Sequence, residues 1–511
     1  MSHTKKTAIN TFVGILCSLI SSILSFVLQA TFIKLLGLEY SGINGLFTDI
    51  LKILNLAELG ISNAILFRLY KQIAENNTNG IEKFLFFYKK LCYIIGLIIL
   101  FVGLCLIPFL DFFVKETPAF PESLWSLYLI VLLTSVFTQF FNYKSTLITA
   151  KQDRYINTII NYSSLFLKHG LQILVLWLFK NIYLYLFVTL FTTILSGVVT
   201  GIISKCRYNH TFYSNEKLSK EETKDLTKDI GSLSIYKLCR TLDATIDTFL
   251  ISKYISVATT AIYGSINILL NALNELLGCF NDSSMASIGD IYASGDKVKT
   301  KQVFYQSCHF TYLIYGICTA TLFPFLTHFT KWWIGYTLDN TSIYIMLLNF
   351  YMYGFGMTVS TFRNSMGIFK KGWLRPAITA FINLVFSLIL IQKIGLIGAL
   401  LGTLISRTFT LVWYDPFIIF KNSFNESPFK FYTKYLIYGI NTLFACVINL
   451  LIQDLIHLES TFIELLISGF CYFIISSIVL LLLGTFFKEQ KQLINRVLIL
   501  IPSLSKHKKE N

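Results

Sequence analysis

Fourteen stretches of roughly twenty or more mostly apolar residues run through this chain, each long enough to cross the roughly 30 Å hydrocarbon core of a bilayer. They cover 9–34, 42–67, 84–110, 122–148, 155–178 and 182–204. A second group covers 230–253, 260–288, 305–327, 342–369, 374–391 and 396–420, and 431–452 and 462–486 close the series. A helix satisfies its own backbone hydrogen bonds in lipid, so the pattern implies an all-α polytopic membrane protein of about 14 transmembrane helices. Composition agrees. Charged residues make up 14% of the 511 and hydrophobic ones 54%, against about 25% charged in a soluble domain. A cytosolic enzyme, a secreted scaffold and a nucleic-acid-binding module are excluded on that ground. The second, seventh and eighth spans are the most polar.

The formal net charge of +15 has a topological source. With the N-terminus inside, 31 of the 43 Lys and Arg fall in inner segments, six in outer loops and six within spans. That asymmetry places both ends in the cytoplasm. Lys5 and Lys6 precede the first span as they would in a signal peptide, but the apolar stretch is too long and no small-residue cleavage site follows. It is expected to stay as a helix. The ten cysteines are scattered without C-x-x-C spacing, mostly inside apolar stretches, and behave as small hydrophobes. The seven histidines show no zinc spacing. No cofactor or metal is expected.

The longest inner loop, 205–229, divides the chain into six spans, six more and a final two. Equal bundles around a polar linker suggest a transporter built from two repeats. The expected domains are an N-terminal lobe over 1–204, a cytoplasmic linker over 205–229 and a C-terminal lobe over 230–420. Two extra spans follow over 421–487, then a basic cytoplasmic tail over 488–511. Faint internal similarity supports the repeat: Asn55-Leu56-Ala57-Glu58-Leu59-Gly60 in span two against Asn274-Glu275-Leu276-Leu277-Gly278 in span eight. No phosphate-cradling Gly-rich loop is present, so the chain does not hydrolyse ATP itself. No outer loop is long enough for the catalytic region of a glycan polymerase, ligase or glycosyltransferase. The chain reads as a non-enzyme.

Nine ionisable residues sit deep in the spans: Lys52, Glu58, Lys168, Lys237, Arg240, Asp243, Asp247, Glu275 and Arg407. Facing lipid, nine such groups would cost roughly 25 kcal/mol, beyond the usual stability margin of about 5–15 kcal/mol. They therefore face a bundle interior or a wet cavity. Lys237, Arg240, Asp243 and Asp247 lie within about 120° on one helical face, a cationic wall with acids beside it. The bland alternative is an internal ion pair of Arg240 that holds helices together. Lys52 and Glu58 point to nearly opposite sides of span two, which also carries Asn55. Lys168 and Arg407 have no acid in their own helices, which makes each a candidate anion site; the alternative is snorkelling to an interface. Arg363, close to the cytoplasmic end of its span, is expected to snorkel.

Other features point to packing. Gly197-x-x-x-Gly201 and Gly398-x-x-x-Gly402 permit close helix approach. Trp332 and Trp333 suit an interfacial belt. The tail from Lys488 to Lys509, with Leu493, Val497, Leu498 and Leu500 interleaved, suggests a basic amphipathic helix on the inner leaflet.

The layout of spans and linker resembles the multidrug/oligosaccharidyl-lipid/polysaccharide exporter superfamily. The run Leu36-Gly37-Leu38-Glu39-Tyr40-Ser41-Gly42-Ile43-Asn44-Gly45-Leu46-Phe47, followed by Leu56-Ala57-Glu58-Leu59-Gly60-Ile61, is similar to the start of Wzx-type flippases of bacterial surface polysaccharide. The resemblance implies two six-helix lobes whose facing sides come from spans one, two, seven and eight, rocking between inward-open and outward-open states. It implies a cargo of undecaprenyl-pyrophosphate-linked oligosaccharide moved across the bacterial cytoplasmic membrane, surrounding lipids as partners, and contact with glycan polymerase machinery. Substrate binding would fall to Lys52, Lys237, Arg240, Lys168, Arg407 and Asn55, and ion coupling to Asp243, Asp247, Glu275 and Glu58. Two rivals share the superfamily. A cation-coupled drug or metabolite antiporter would want an acid-dominated cavity, whereas the deep set here is five positive to four negative. A lipid II flippase would share the cationic one.

Overall fold

The computed structural model describes residues 3–116, 120–208, 218–368, 374–455 and 461–495, with side chains inside some helical stretches excepted. Every one of the fourteen spans is helical. In order they are α1 (His3–Leu36), α2 (Leu38–Leu54 and Leu56–Ala74, interrupted at Asn55), α3 (Thr78–Leu106, tightening to a 3₁₀ turn over Ile107–Phe113) and α4 (Leu124–Ala150). Then come α5 (Arg154–Phe179), α6 (Ile182–Tyr208), α7 (Lys220–Tyr254), α8 (Val257–Ala293), α9 (Lys297–Ile334) and α10 (Asn340–Ser365). α11 (Arg375–Ile394) leads to α12, built from Leu396–Arg407, a π-helical turn over Thr408–Tyr414, Asp415–Ile419 and a second π-helical turn over Phe420–Phe424. α13 (Phe429–Leu455) and α14 (Phe462–Gly484) complete the set, and a further helical stretch covers 488–495. Among the described residues, eleven spans are long and apolar enough to cross a membrane by length and composition. The remaining three are α2, α7 and α8, the polar trio.

Contacts group the chain into two compact units, Met1–Leu269 and Leu270–Asn511. The division falls inside α8. It lies there because α7, although it follows the linker, packs along both segments of α2. In the first unit the core is a layer of Phe47, Ile65, Leu69, Leu85, Tyr88, Tyr128, Leu132 and Leu147, with Phe47 set edge-on to Tyr128 at 5.2 Å. α7 starts on a capping box: Glu222 N–H donates to Ser219 Oγ, and Ser219 N–H to the Glu222 carboxylate. These two bonds satisfy backbone donors that a helix start leaves open. The same carboxylate takes a 3.1 Å bond from Lys83 of α3, and its proton affinity is held below the ordinary carboxylate value, first by the Ser219 backbone N–H.

The second unit is organised around α10, whose most apolar window is 72% buried, against 17–50% in the other ten apolar spans. Its core is aromatic. Phe304, Phe355, Phe362, Phe420, Phe431 and Tyr438 interlock, and Tyr312 stacks on Tyr438 at 4.3 Å. Such offset and edge-on contacts suit the ring quadrupole. The paired glycines do what their spacing suggests. A Cβ on Gly402 would lie 2.0 Å from Ser387 Oγ and 2.5 Å from its backbone nitrogen, and one on Gly398 would meet the Leu390 carbonyl at 2.2 Å. α11 and α12 therefore pack backbone to backbone. In the first unit, Gly197 accommodates Phe141 and Gly201 accommodates Lys144. All ten cysteines are free, with Cys92, Cys308 and Cys446 buried as core hydrophobes.

Large apolar side chains such as Phe101, Trp177, Phe381 and Phe470 stand more than 60% exposed. On a water-soluble protein such a surface would be an interaction patch or an aggregation liability. On spans of this length it is the face turned to lipid.

Candidate functional site

In the first unit the polar helices meet. α1, α2 and the start of α8 are joined by Gln29 Nε2, which donates to Ser41 Oγ at 3.0 Å and to Ser265 Oγ at 2.8 Å. Gly42 of α2 lies so close to the Val257 carbonyl of α8 that a Cβ there would be 2.1 Å away. On this frame Lys52 donates to Asp49 at 2.7 Å, its side chain still 58% exposed. Pairing of that kind is weak and readily exchanged for another anion. At Asn55 the helix breaks for one residue, and Asn55 Oδ1 is buried with no described partner. Asparagine offers the backbone local alternatives to helix bonding, which suits an interruption. Glu58 belongs to α2, but its side chain lies outside the described residues.

Facing α2, α7 carries Lys237 and Asp243 half-buried and Arg240 exposed, while Asp247 is buried and accepts from Tyr263 of α8 at 3.2 Å. Seven of the ten site residues expected from sequence, Lys52, Asn55, Glu58, Lys237, Arg240, Asp243 and Asp247, thus lie on two helices packed together. The eighth, Lys168, sits half-buried on α5, which packs against α1, and it makes no ion pair with a described residue. Its neighbour His169 reaches Ser25 of α1 at 3.5 Å.

The second unit holds the other two. Glu275 is exposed on α8. Arg407 is half-buried at the end of the first segment of α12; its Nη1 donates to the Asn349 carbonyl of α10 at 2.9 Å, and the guanidinium lies 5.4 Å from the Tyr353 ring centre. No acid among the described residues pairs with it.

A further charge cluster escapes sequence reasoning. Asp415 is wholly buried and accepts from Arg363 Nη1 of α10 and Arg375 Nη1 of α11, both at 2.6 Å, with Ser360 Oγ at 3.0 Å. Arg363, expected to snorkel, is instead 1% exposed. The π-helical turn before Asp415 inserts the extra backbone that the Asp415-Pro416 step requires, since proline has no N–H to continue the ladder. Two guanidinium groups on one carboxylate lock three helices. The available signal was an aspartate ahead of a proline inside an apolar run.

The tail also departs from expectation. Over the described residues 488–495 it docks on its own unit: Gln490 Oε1 is 3.2 Å from His309 Nε2, Gln490 Nε2 donates to the Leu481 carbonyl at 2.8 Å, and Glu489 pairs with Lys434. Buried amides and an ion pair bind this segment to protein, so it does not lie free on a leaflet. The amphipathic stretch beyond it, with Val497, Leu498 and Leu500, lies outside the described residues.

Among solved structures, the inward closed conformation of the lipid II flippase MurJ is similar over 91% of this chain and 98% of its own, with a TM-score of 0.69 at 15% identity. An inward-facing multidrug resistance MATE family transporter of the MOP superfamily matches over 80% and 98%, at TM-score 0.63 and 14% identity. A MOP superfamily transporter from Pyrococcus furiosus matches over 80% and 93%, at 0.53 and 15%. These likenesses establish the fold of that superfamily. No curated protein matches. Residues 8–285, more than half the chain, match the family described as polysaccharide biosynthesis protein, and the polar cluster of α2 and α7 lies within them: the chain belongs to the polysaccharide biosynthesis protein family.

Proposed function

We propose that this protein is a flippase that carries undecaprenyl-pyrophosphate-linked oligosaccharide repeat units across the bacterial cytoplasmic membrane, with both termini cytoplasmic. The observation that supports the reading is the packing of α2 against α7, two helices that between them carry Lys52, Lys237, Arg240 and two aspartates, in a member of the polysaccharide biosynthesis protein family. A pyrophosphate with a sugar chain cannot enter hydrocarbon, so its hydration must be replaced by polar groups and its charge offset by cations. The prenyl tail stays in lipid throughout. Lys52 is the first candidate for the pyrophosphate, because its exposed bond to Asp49 costs little to exchange. Lys237 and Arg240 sit on the neighbouring helix, Asn55 supplies an idle carbonyl oxygen, and Lys168 and Arg407 are secondary anion contacts. Asp243, Asp247, Glu275 and Glu58 are the coupling candidates. With no nucleotide site in the sequence, the direction of transport follows an ion gradient, the membrane potential or removal of product outside.

In this reading α1–α6 and α7–α12 are the two repeats that alternate access, α13 and α14 are additions, and a glycan polymerase is the partner that consumes the product. Deletion of the gene should leave undecaprenyl-linked repeat units on the cytoplasmic face and remove surface polysaccharide, and Arg240→Ala should do the same with normal protein levels. Wild-type surface glycan in the Arg240→Ala strain would remove Arg240 from the mechanism. The likeness to MurJ favours a second reading, a lipid II flippase. In that case the deletion would accumulate cell wall precursor and leave surface glycan intact.

A further inference from the structure

The second unit contains a cavity of about 220 Å³ between the C-terminal half of α8 and the first half of α9. We infer that it is a subsite for a single neutral sugar ring of the cargo, an inference that rests on the flippase reading above. None of its lining residues is charged, so a pyrophosphate placed there would be desolvated without compensation. A prenyl chain would match the apolar part of the wall but offer no partner to the polar groups of Asn281, Gln306 and Ser307. Gln306 is 3% exposed; its Nε2 donates to Gln492 at 2.6 Å, while its Oε1 is buried with no described partner. Idle buried acceptors of this kind are costly and call for an explanation. Across the cavity, Asn281 Oδ1 accepts from Thr358 Oγ1 at 3.0 Å, which itself bonds Thr311 at 2.7 Å. This chain fixes the Asn281 amide, and its Nδ2 makes no hydrogen bond to a described residue. The cavity wall thus combines an acceptor, a donor and the hydroxyl of Ser307 with the rings of Phe310 and Tyr315.

A pyranose combines the same two kinds of surface, with hydroxyls that both donate and accept around its edge and an apolar face of C–H groups. The volume lies below the roughly 300–1,000 Å³ of pockets for drug-sized ligands, which selects one ring over a longer chain. Leu493 of the tail supplies part of the wall, and Gln492 holds Gln306 in place. The tail that docks on this unit therefore also completes the cavity.

The full chain in nanodiscs should be titrated with two probes: undecaprenyl pyrophosphate, and the glycosylated undecaprenyl pyrophosphate extracted from the deletion strain. Wild type should bind the glycosylated lipid more tightly. The Gln306→Ala/Asn281→Ala double variant should lose about tenfold in affinity for it, the loss expected for one or two neutral hydrogen bonds, with binding of the sugar-free lipid unchanged. Ser307→Phe, which fills the cavity without touching the Gln306–Gln492 bond, should have the same effect and serves if the double variant does not fold. Wild-type binding of both lipids by the variants would show a cavity that holds only water and would overturn the subsite, leaving the flippase reading intact. Equal loss of both lipids would also overturn it. If wild type binds neither lipid, the flippase reading fails and the subsite with it.

Discussion

Arg363 and Lys52 are both cations on membrane helices, and their surroundings give them opposite roles. Arg363 and Asp415 have side chains 2% and 0% exposed, whereas Lys52 and Asp49 are 58% and 14% exposed. Removing one partner of a buried pair leaves an uncompensated charge and typically costs about 3–5 kcal/mol. Asp415→Asn strands part of the charge of two arginines. It should therefore lower stability by that order, seen as a lower unfolding midpoint in detergent and less folded protein. Lys52→Met should change stability by less than about 1 kcal/mol, because exposed pairs contribute little. An unchanged midpoint for Asp415→Asn would show that water or an ion reaches the cluster. Lys52 was legible in the sequence because it stands in a polar span beside Asn55 and Glu58. Asp415 was not, since one acid averages out in an apolar window and its partners lie 52 and 40 residues away. Distance along the chain hid the pairing.

At the scale of elements, the glycine pairs separate two kinds of close packing. The Cβ of Gly197→Ala would collide with the Phe141 side chain at 2.2 Å, whereas that of Gly402→Ala would also meet the Ser387 backbone. Overpacking of this sort costs about 1–3 kcal/mol. Gly197→Ala should lower the unfolding midpoint and recover in the Gly197→Ala/Phe141→Leu double variant. Gly402→Ala should lower it too, with no recovery when Ser387→Ala is added. Recovery in the second case would mean that α11 can move aside. These contacts were readable as G-x-x-x-G, and so was the distinction of α2, α7 and α8 by polarity. The break at Asn55 and the π-helical turns of α12 were not readable, because they depend on which backbone group finds a partner in a neighbouring helix. The docking of 488–495 was hidden likewise. Its bonds run to His309 and Lys434, far back in the chain.

For the whole molecule, the sequence marks a repeat at 205–229, while the contacts divide the chain at Leu269. These answer different questions, since one is a repeat boundary expected from the polar linker and the other reflects which helices share a core. Topology is tested directly. In a cysteine-free background, Lys115→Cys and Lys180→Cys should react with a membrane-impermeant maleimide on intact cells. Arg68→Cys and Lys299→Cys should react only after permeabilisation. Labelling of the second pair on intact cells would invert the orientation and place the basic segments outside.

The Arg363–Asp415 contact has a consequence for how the protein is made. Asp415 follows Arg363 by 52 residues, so at ordinary synthesis rates of about 5–20 residues per second the arginine leaves the ribosome roughly 3–10 seconds before its carboxylate does. Throughout that interval α10, the most buried apolar span of the second unit, carries an unmatched cation and little surface suited to lipid. It must wait beside the insertion machinery until α11 and α12 arrive, so the second unit enters the membrane as a group of helices and not one at a time.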